Sequence, residues 1–345
     1  MNTTITQKER ILSLDIIRGF ALFGILFINV EYYRIISENG TWIFPDYSGG
    51  INGIIDTLIH IFIEKKFFSI FSFLFGVGFY IFTSRAESRG DKPRRRFVRR
   101  LLALLVIGIV HSFIFFGSIL SIYAVIGLFL VPFYHAKVST ISKWLCGIVT
   151  AHIIALLLQV FVPNTGAVFF VIGNDAIAIF IMFLSGFLVA KAGWISHIGE
   201  YTKQIRWIQI GTIPFFIGFS IWIWFASQGD DQNIQLIMSL GLIPSTYFYL
   251  TSLFLILENK QIVKFLKPIA CVGQMAFTNY VAQSFIGLAI ISLMGLEFVS
   301  PKNIVIISIL IFSIQIIFSV VWFKFFRMGP LEKVWRFMTY GKRTA

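Results

Sequence analysis

The chain has 345 residues, of which 57% are hydrophobic and only 13% charged, a balance that excludes an ordinary soluble domain and belongs to a polypeptide dissolved in lipid. The 29 Lys and Arg outnumber 16 Asp and Glu, yet no basic face with interleaved aromatics occurs outside the apolar runs, so nucleic acid is not an expected partner. Cys146 and Cys271 both fall near expected cytosolic helix ends and build no disulfide framework.

Ten apolar runs have the length of bilayer spans or come close to it: 12–33, 66–83, 97–116, 119–134, 142–161, 175–190, 205–226, 233–257, 274–294 and 304–326. The first is too long for a signal peptide and lacks a small-residue cleavage pattern, so it is expected to be retained. With the N-terminus inside, every Lys and Arg except Arg34, Lys65, Lys66 and Lys302 falls on the cytosolic side, as short basic loops require. The expected fold is therefore an all-α polytopic membrane helix bundle of about ten transmembrane helices, one integral membrane domain over 1–345, with both termini cytoplasmic.

The first span carries Asp15, Arg18 and Asn29. An arginine inside a membrane helix costs a few kcal/mol unless paired, so Arg18 marks a site, with Asp15 one turn away as its nearest partner. Asn29 returns to within about 20° of the Arg18 face, roughly 16 Å further along. Gly19 and Gly24 open that face to another helix or a ligand. Residues 34–53 read as an outer loop rich in turn chemistry, with Asn39-Gly40, Pro45 and Ser48-Gly49-Gly50.

Asp56, His60 and Glu64 follow at i, i+4, i+8 and share a helix face. They form either an acid/base or metal cluster on the outer surface, or the wet face of an interfacial helix whose Ile59 and Phe62 point to lipid. Ser69, Ser72 and Gly76 line a groove suited to helix contact. The Gly76-x-Gly78 pair alone does not indicate nucleotide binding.

The run from Arg94 to Arg100 anchors the topology on anionic headgroups or docks a polyanion such as the phosphates of coenzyme A, for which Arg99 and Arg100 are placed. His111 lies in the outer half of the third span, as a proton shuttle or as a core histidine bonded to a neighbouring helix. Only Gly117-Ser118 separates it from Ile119, and Tyr123 on the next helix is placed to reach it. Asp175 opens the sixth span. Two spans running outside to inside, at Phe71–Phe79 and Ile181–Val189, share Phe-Leu-x-Gly, a hint of duplication. Asn279 and Gln283, at i, i+4, either bond a neighbouring helix or line a cavity. Pro330 suits a first helical turn, and Glu332 with Arg336 makes an i, i+4 pair on a cytosolic interface helix.

Several stretches taken together resemble the YeiB-like family of bacterial multi-pass membrane proteins. They are Leu14-Asp15-x-x-Arg18-Gly19 with Asn29; Leu74-Phe75-Gly76-x-Gly78; Arg99-Arg100-Leu101 with Gly108 and His111; Ile119-Leu120 with Tyr123; Met275-Ala276-x-Thr278-Asn279-Tyr280; and Gly329-Pro330-Leu331-Glu332 with Trp335-Arg336. The resemblance implies N-terminal helices over 1–135 and, over 136–345, a C-terminal domain of unknown function. It also implies location in the bacterial cell membrane.

The family is distantly similar to transmembrane acyltransferases, including the lysosomal heparan glucosaminide acetyltransferase and surface-polysaccharide O-acetyltransferases. These take an acyl group from a cytosolic thioester to an acceptor on the other side. On that likeness Asp15, Arg18, Arg99, Arg100, Asn279 and Gln283 would bind acyl-CoA as co-substrate, His111 would be the base and Asn29 would hold the oxyanion. This chain departs from the pattern at Asn29, where the O-acetyltransferases place a histidine, and at Ser118, where relatives often carry an acid. A transporter for a small anionic or lipid-linked solute and a non-catalytic membrane partner are the alternatives. Expected partners are the lipid bilayer, acyl-CoA and a second copy of the chain; no metal and no permanently bound cofactor are expected.

Overall fold

A computed structural model describes residues 7–33, 36–38, 41–43, 49–162, 166–229 and 231–341. The helices are α1 (Gln7–Tyr32), α2 (Gly50–Phe62), α3 (Lys66–Glu87), α4 (Pro93–Ser112), α5 (Leu120–Leu128), α6 (Val138–Phe161), α7 (Ala167–Ile172) and α8 (Asp175–Lys191). They continue with α9 (Thr202–Gln228), α10 (Ile234–Ile256), α11 (Lys260–Phe265), α12 (Lys267–Gln274), α13 (Ala276–Leu293), α14 (Pro301–Phe325) and α15 (Pro330–Tyr340).

Local chemistry sets several of the helix starts. Pro93, Pro301 and Pro330 occupy first turns, where a missing N–H is harmless. Asn174 and Ser300 accept backbone N–H groups as N-caps of α8 and α14.

Helical membrane architecture follows from where the apolar side chains face. Trp207, Phe215 and Phe225 on α9 and Ile317 and Phe325 on α14 are exposed, an apolar surface that only lipid can cover at this extent. Among the described residues, seven helical segments are each long and apolar enough to cross a bilayer, with Gly50–Glu87 counted as one. The other three expected spans are helical but fall short of that standard. Here α4 opens with Arg94, Arg95 and Arg96, α5 stops after 9 residues, and α8 has 17. Burial from Ile181 to Phe187 makes α8 a core helix that needs no lipid-facing length.

Two close helix crossings organise the core. A Cβ built on Gly76 would lie 1.9 Å from the Phe183 carbonyl oxygen, and one on Gly186 would lie 1.9 Å from that of Phe73, so α3 and α8 touch backbone to backbone through reciprocal glycines. Phe75 stacks on Phe183 and Phe79 packs on Phe187, which shows that the two helices run in the same direction. The two similar Phe-Leu-x-Gly stretches are thus partners in one crossing. The second crossing joins α1 to α12. A Cβ on Gly19 would lie 2.3 Å from the Ile269 oxygen and one on Gly273 would lie 1.9 Å from the Asp15 oxygen. Gly24 abuts the ring of Phe67, so both α1 glycines serve contacts within the bundle.

Three expectations change here. The segment 34–53 is not turn chemistry throughout. It contains an antiparallel hairpin, β1 (Ile36–Glu38) with β2 (Thr41–Ile43), and α2 begins at Gly50; Asn39, Gly40, Pro45 and Ser48 lie outside the described residues. Ile59 is buried in the main core rather than facing lipid, because α2 packs against α9 and α14 and uses its apolar face there; Phe62 remains exposed. The expected Glu332 to Arg336 pair is replaced by a tertiary contact described below.

Candidate functional site

The site lies between α1, α3, α4, α5, α13 and α15, and runs from the end of the bundle that carries the arginine run, here the basic end, toward the opposite end. At the basic end Arg18 Nη1 meets Asp15 Oδ1 at 2.6 Å and the Gly273 carbonyl at 3.4 Å. Asp15 therefore neutralises Arg18 as their one-turn spacing suggests, yet the Arg18 side chain is still 30% exposed.

Opposite Arg18, the chain breaks between α12 and α13 at Met275. Asn279 pins the break: its Nδ2 donates to the Val272 carbonyl at 3.1 Å and to Ser319 Oγ at 3.0 Å, while Gln315 Nε2 donates to the Asn279 carbonyl at 2.7 Å. Glu332 closes the new helix N-terminus. Its Oε1 accepts the N–H groups of Phe277 (2.8 Å) and Thr278 (3.1 Å), and its Oε2 accepts the Thr278 hydroxyl at 2.5 Å. A carboxylate suits that position because the first turn of a helix carries unpaired donors and a positive dipole end. Its tie to α13 explains why Glu332 does not pair with Arg336.

Arg100 is the residue left over. Its guanidinium lies 3.6 Å from the Trp335 ring centroid and 5.1 Å from that of Phe82, and the Trp335 indole N–H donates to the Arg100 carbonyl at 2.8 Å. No carboxylate pairs with it among the described residues. The rest of the arginine run is engaged differently: Arg96 meets Asp91 at 3.4 Å and lies over Tyr340, and exposed Arg99 reaches the Met338 carbonyl at 3.5 Å. The run thus holds α15 against α4.

Between these charges and the far end lies a cavity of about 250 Å³. Arg18, Arg100, Gln274, Glu332 and Trp335 line its basic end, Phe71, Leu74, Phe75, Phe79 and Leu104 its body, and Ile119, Leu120, Tyr123 and Tyr280 its far end. Just behind Tyr280 sits His111, 2% exposed, with Nδ1 at 2.8 Å from Ser118 Oγ and Nε2 at 3.1 Å from Ser284 Oγ. The His111 and Tyr280 ring centroids are 5.5 Å apart. The Tyr280 hydroxyl accepts the Ile119 N–H at 3.1 Å, and the Asn29 amide lies beside it with its Nδ2 unpaired.

Of the candidates read from sequence, Arg18 and Arg100 line the cavity, and Asp15 touches it through Arg18. Asn29 and His111 stand one layer behind the far end. Arg99, Asn279 and Gln283 do not line it, and Gln283 is fully buried with both amide atoms unpaired. Tyr123 does not reach His111; its hydroxyl meets Ser72 Oγ at 2.6 Å and donates to the Phe68 carbonyl at 2.8 Å, because α5 turns that face to α3. Gln274, Tyr280, Glu332 and Trp335 line the cavity but are not among the site residues expected from the sequence, which reads Glu332 only as a partner for Arg336; the one signal for Tyr280, Glu332 and Trp335 is their place in family-like motifs of the C-terminal half.

The Asp56, His60 and Glu64 face exists, with His60 Nε2 at 3.8 Å from Asp56 and 3.3 Å from Glu64. Among the described residues no group of three His, Cys, Asp or Glu is arranged to hold a metal ion. Asp175 is used by Lys65, whose ammonium lies 3.0 Å from its carboxylate and 2.8 Å from Ser239 Oγ.

A family model described as "Protein of unknown function (DUF418)" matches residues 189–342. The chain is 30% identical to an uncharacterized 39.9 kDa protein in the amylase 3′ region of Bacillus acidopullulyticus, over 98% of this chain and 96% of that one. Identity is 28% with the uncharacterized protein YxaH of Bacillus subtilis (strain 168), covering 99% and 96%. It is 24% with the uncharacterized protein YeiB of Escherichia coli (strain K12), covering 96% of each. No solved structure matches. Likeness along nearly the whole length, with the C-terminal match, places this membrane bundle: the chain belongs to the YeiB-like family with its domain of unknown function.

Proposed function

We propose that the protein is an acyltransferase of the bacterial cell membrane, with ten crossings and both termini in the cytosol. It moves an acyl group from acyl-CoA at the basic end to a hydroxyl or amine at the far end. The observation that carries this reading is Arg100: a guanidinium stacked on Trp335, with no carboxylate in ion-pair contact among the described residues, at the mouth of an apolar cavity that ends at Tyr280 beside His111. A guanidinium binds phosphate in a bidentate fashion and is suited to the pyrophosphate of the donor, with the exposed part of Arg18 beside it.

In the transfer the acceptor lone pair attacks the thioester carbonyl carbon, the C–S bond breaks, and the CoA thiolate leaves toward the basic end. The acceptor proton goes to His111 through Ser118 or Ser284, since the imidazole itself is walled off. Tyr280 accepts from Ile119 N–H and so keeps its own proton to donate to the developing oxyanion, with the unpaired Asn29 amide as a second donor.

A transporter for an anionic solute draws on one observation, the α12–α13 break, because broken helices hold ions at their ends. Glu332 already fills that end, which favours transfer. Acyl-CoA binding and hydrolysis by the purified protein test the proposal. Arg100→Ala and Arg18→Ala are expected to weaken binding by tenfold or more, and His111→Ala to keep binding and lose turnover by roughly 10² or more. Wild-type protein that neither binds nor turns over any acyl-CoA would remove the acyltransferase reading.

A further inference from the structure

The two glycines of Gly76-x-Gly78 do different work. Gly76 is required by backbone contact with α8, whereas a Cβ on Gly78 would meet nothing within 4 Å. Gly78 lines the cavity and is related to Leu74 and Phe75 by helical spacings of four and three, so it shares their cavity-facing side. A mid-helix glycine weakens a helix relative to alanine; Gly147, Gly211 and Gly218 also have open space, but on exposed helix faces, whereas the space at Gly78 opens into the cavity.

The position of that space is informative. Phe82, one turn closer to the basic end, lies under Arg100, and the neighbouring Phe79 packs on Phe97 at 4.3 Å. Gly78 therefore sits one turn inside the cationic mouth, where the charged end of the cavity passes into its aromatic body.

We propose that Gly78 is the throat of the cavity. The ligand is a single-chain amphiphile whose anionic head is held at Arg18 and Arg100 while its acyl chain enters past Gly78 into the aromatic body of the cavity, the pose of the bound donor before the thioester advances to Tyr280 for transfer. This rests on the acyl-donor reading for the identity of the head but not for the passage of the chain. A side chain at position 78 leans toward the start of α3, into the body of the cavity, and takes the place of the chain.

The test is a chain-length series on detergent-purified full-length protein, from CoA itself through acetyl-CoA to palmitoyl-CoA, with free fatty acids of the same lengths as a second arm. Wild-type affinity is expected to rise by about fourfold per methylene until the cavity is full, the increment expected for burying each CH₂. Gly78→Leu is expected to flatten that slope while leaving CoA binding and thermal stability unchanged. Gly78→Ala, whose Cβ has room, serves as the folded control and is expected to melt no lower than wild type.

A slope in wild type that persists in Gly78→Leu would overturn the throat and leave the acyl-CoA reading standing. A slope seen only with fatty acids, and flattened by Gly78→Leu, would keep the throat and remove the thioester donor. Affinity independent of chain length in both arms would overturn the throat outright.

Discussion

The two ends of the cavity are built from different chemistry. At the basic end four charged side chains converge, and their pairing is uneven. Asp15 is taken by Arg18, Glu332 is taken by the α13 N-terminus, and Arg100 stacks on aromatic rings with no carboxylate in ion-pair contact among the described residues, though Glu332 lies near enough to attract it. At the far end His111, Ser118, Ser284 and Tyr280 are formally neutral, and three of them close hydrogen bonds on one another. Charge in a bilayer survives where it is paired or within reach of headgroups and water, while neutral polar groups can be satisfied deep inside. Under the proposed transfer, that difference suits the basic end to a charged head and the far end to proton handling.

Breaking the basic end has the largest expected effect. Glu332→Ala removes the acceptor from two backbone N–H groups and one hydroxyl at the start of α13 and frees α15. Hydrogen bonds to a charged group contribute about 1.5–3 kcal/mol each, but water at the membrane surface recovers part, so a loss of about 2–4 kcal/mol is expected. Thermal denaturation of the purified protein reads it directly. Glu332→Gln keeps an acceptor for Phe277 and Thr278 and should recover part of the loss; equal melting temperatures for wild type and Glu332→Ala would show that α15 is not anchored by this contact.

Breaking the far end comes next. His111→Ala strands the Ser118 and Ser284 hydroxyls in a buried site, for a loss of about 1–3 kcal/mol. The histidine is then a structural lock if turnover of folded variant matches wild type, and a proton acceptor if turnover falls while acyl-CoA affinity holds.

Smaller still is Arg100→Lys. It keeps the charge but loses the flat guanidinium stacked on Trp335, a contact of about 1–2 kcal/mol when shielded from water. Weaker CoA binding than wild type, with stability within about 1 kcal/mol, is the expected outcome. Unchanged affinity would mean that recognition at this end depends on net charge alone.

These contrasts mark what could be read from the sequence. Asp15 with Arg18 was legible because both partners lie within one turn, and the helical membrane bundle because long apolar runs are a one-dimensional signal. The Gly76 groove was legible as a place of close approach, though its partner Gly186 was visible only as a vague likeness between two spans. Glu332 was not legible, since its partners lie more than 50 residues away while Arg336 offered a local alternative that the fold declined. The cavity walls were hidden for a different reason: with 40 phenylalanines in the chain, nothing distinguishes the few around empty space from those that fill the core or face lipid. Ile59 and Tyr123 were misplaced because each helix has several neighbours, and local spacing fixes a face without naming what covers it.

Gln283 offers the smallest effect and one of opposite sign. It sits one turn beyond Asn279 on α13, fully buried, with neither amide atom bonded within the protein. A desolvated amide without partners is a net liability, and replacing it with an apolar residue of similar size removes that cost. Gln283→Leu is therefore expected to raise stability by about 1 kcal/mol and leave acyl-CoA affinity unchanged, because the side chain is outside the cavity wall. A fall in melting temperature would reveal that the amide holds a bound molecule. A fall in affinity would carry the ligand site beyond Tyr280 into the interior of the bundle, and the contrast between a charged recognition end and a neutral far end would then need a third compartment.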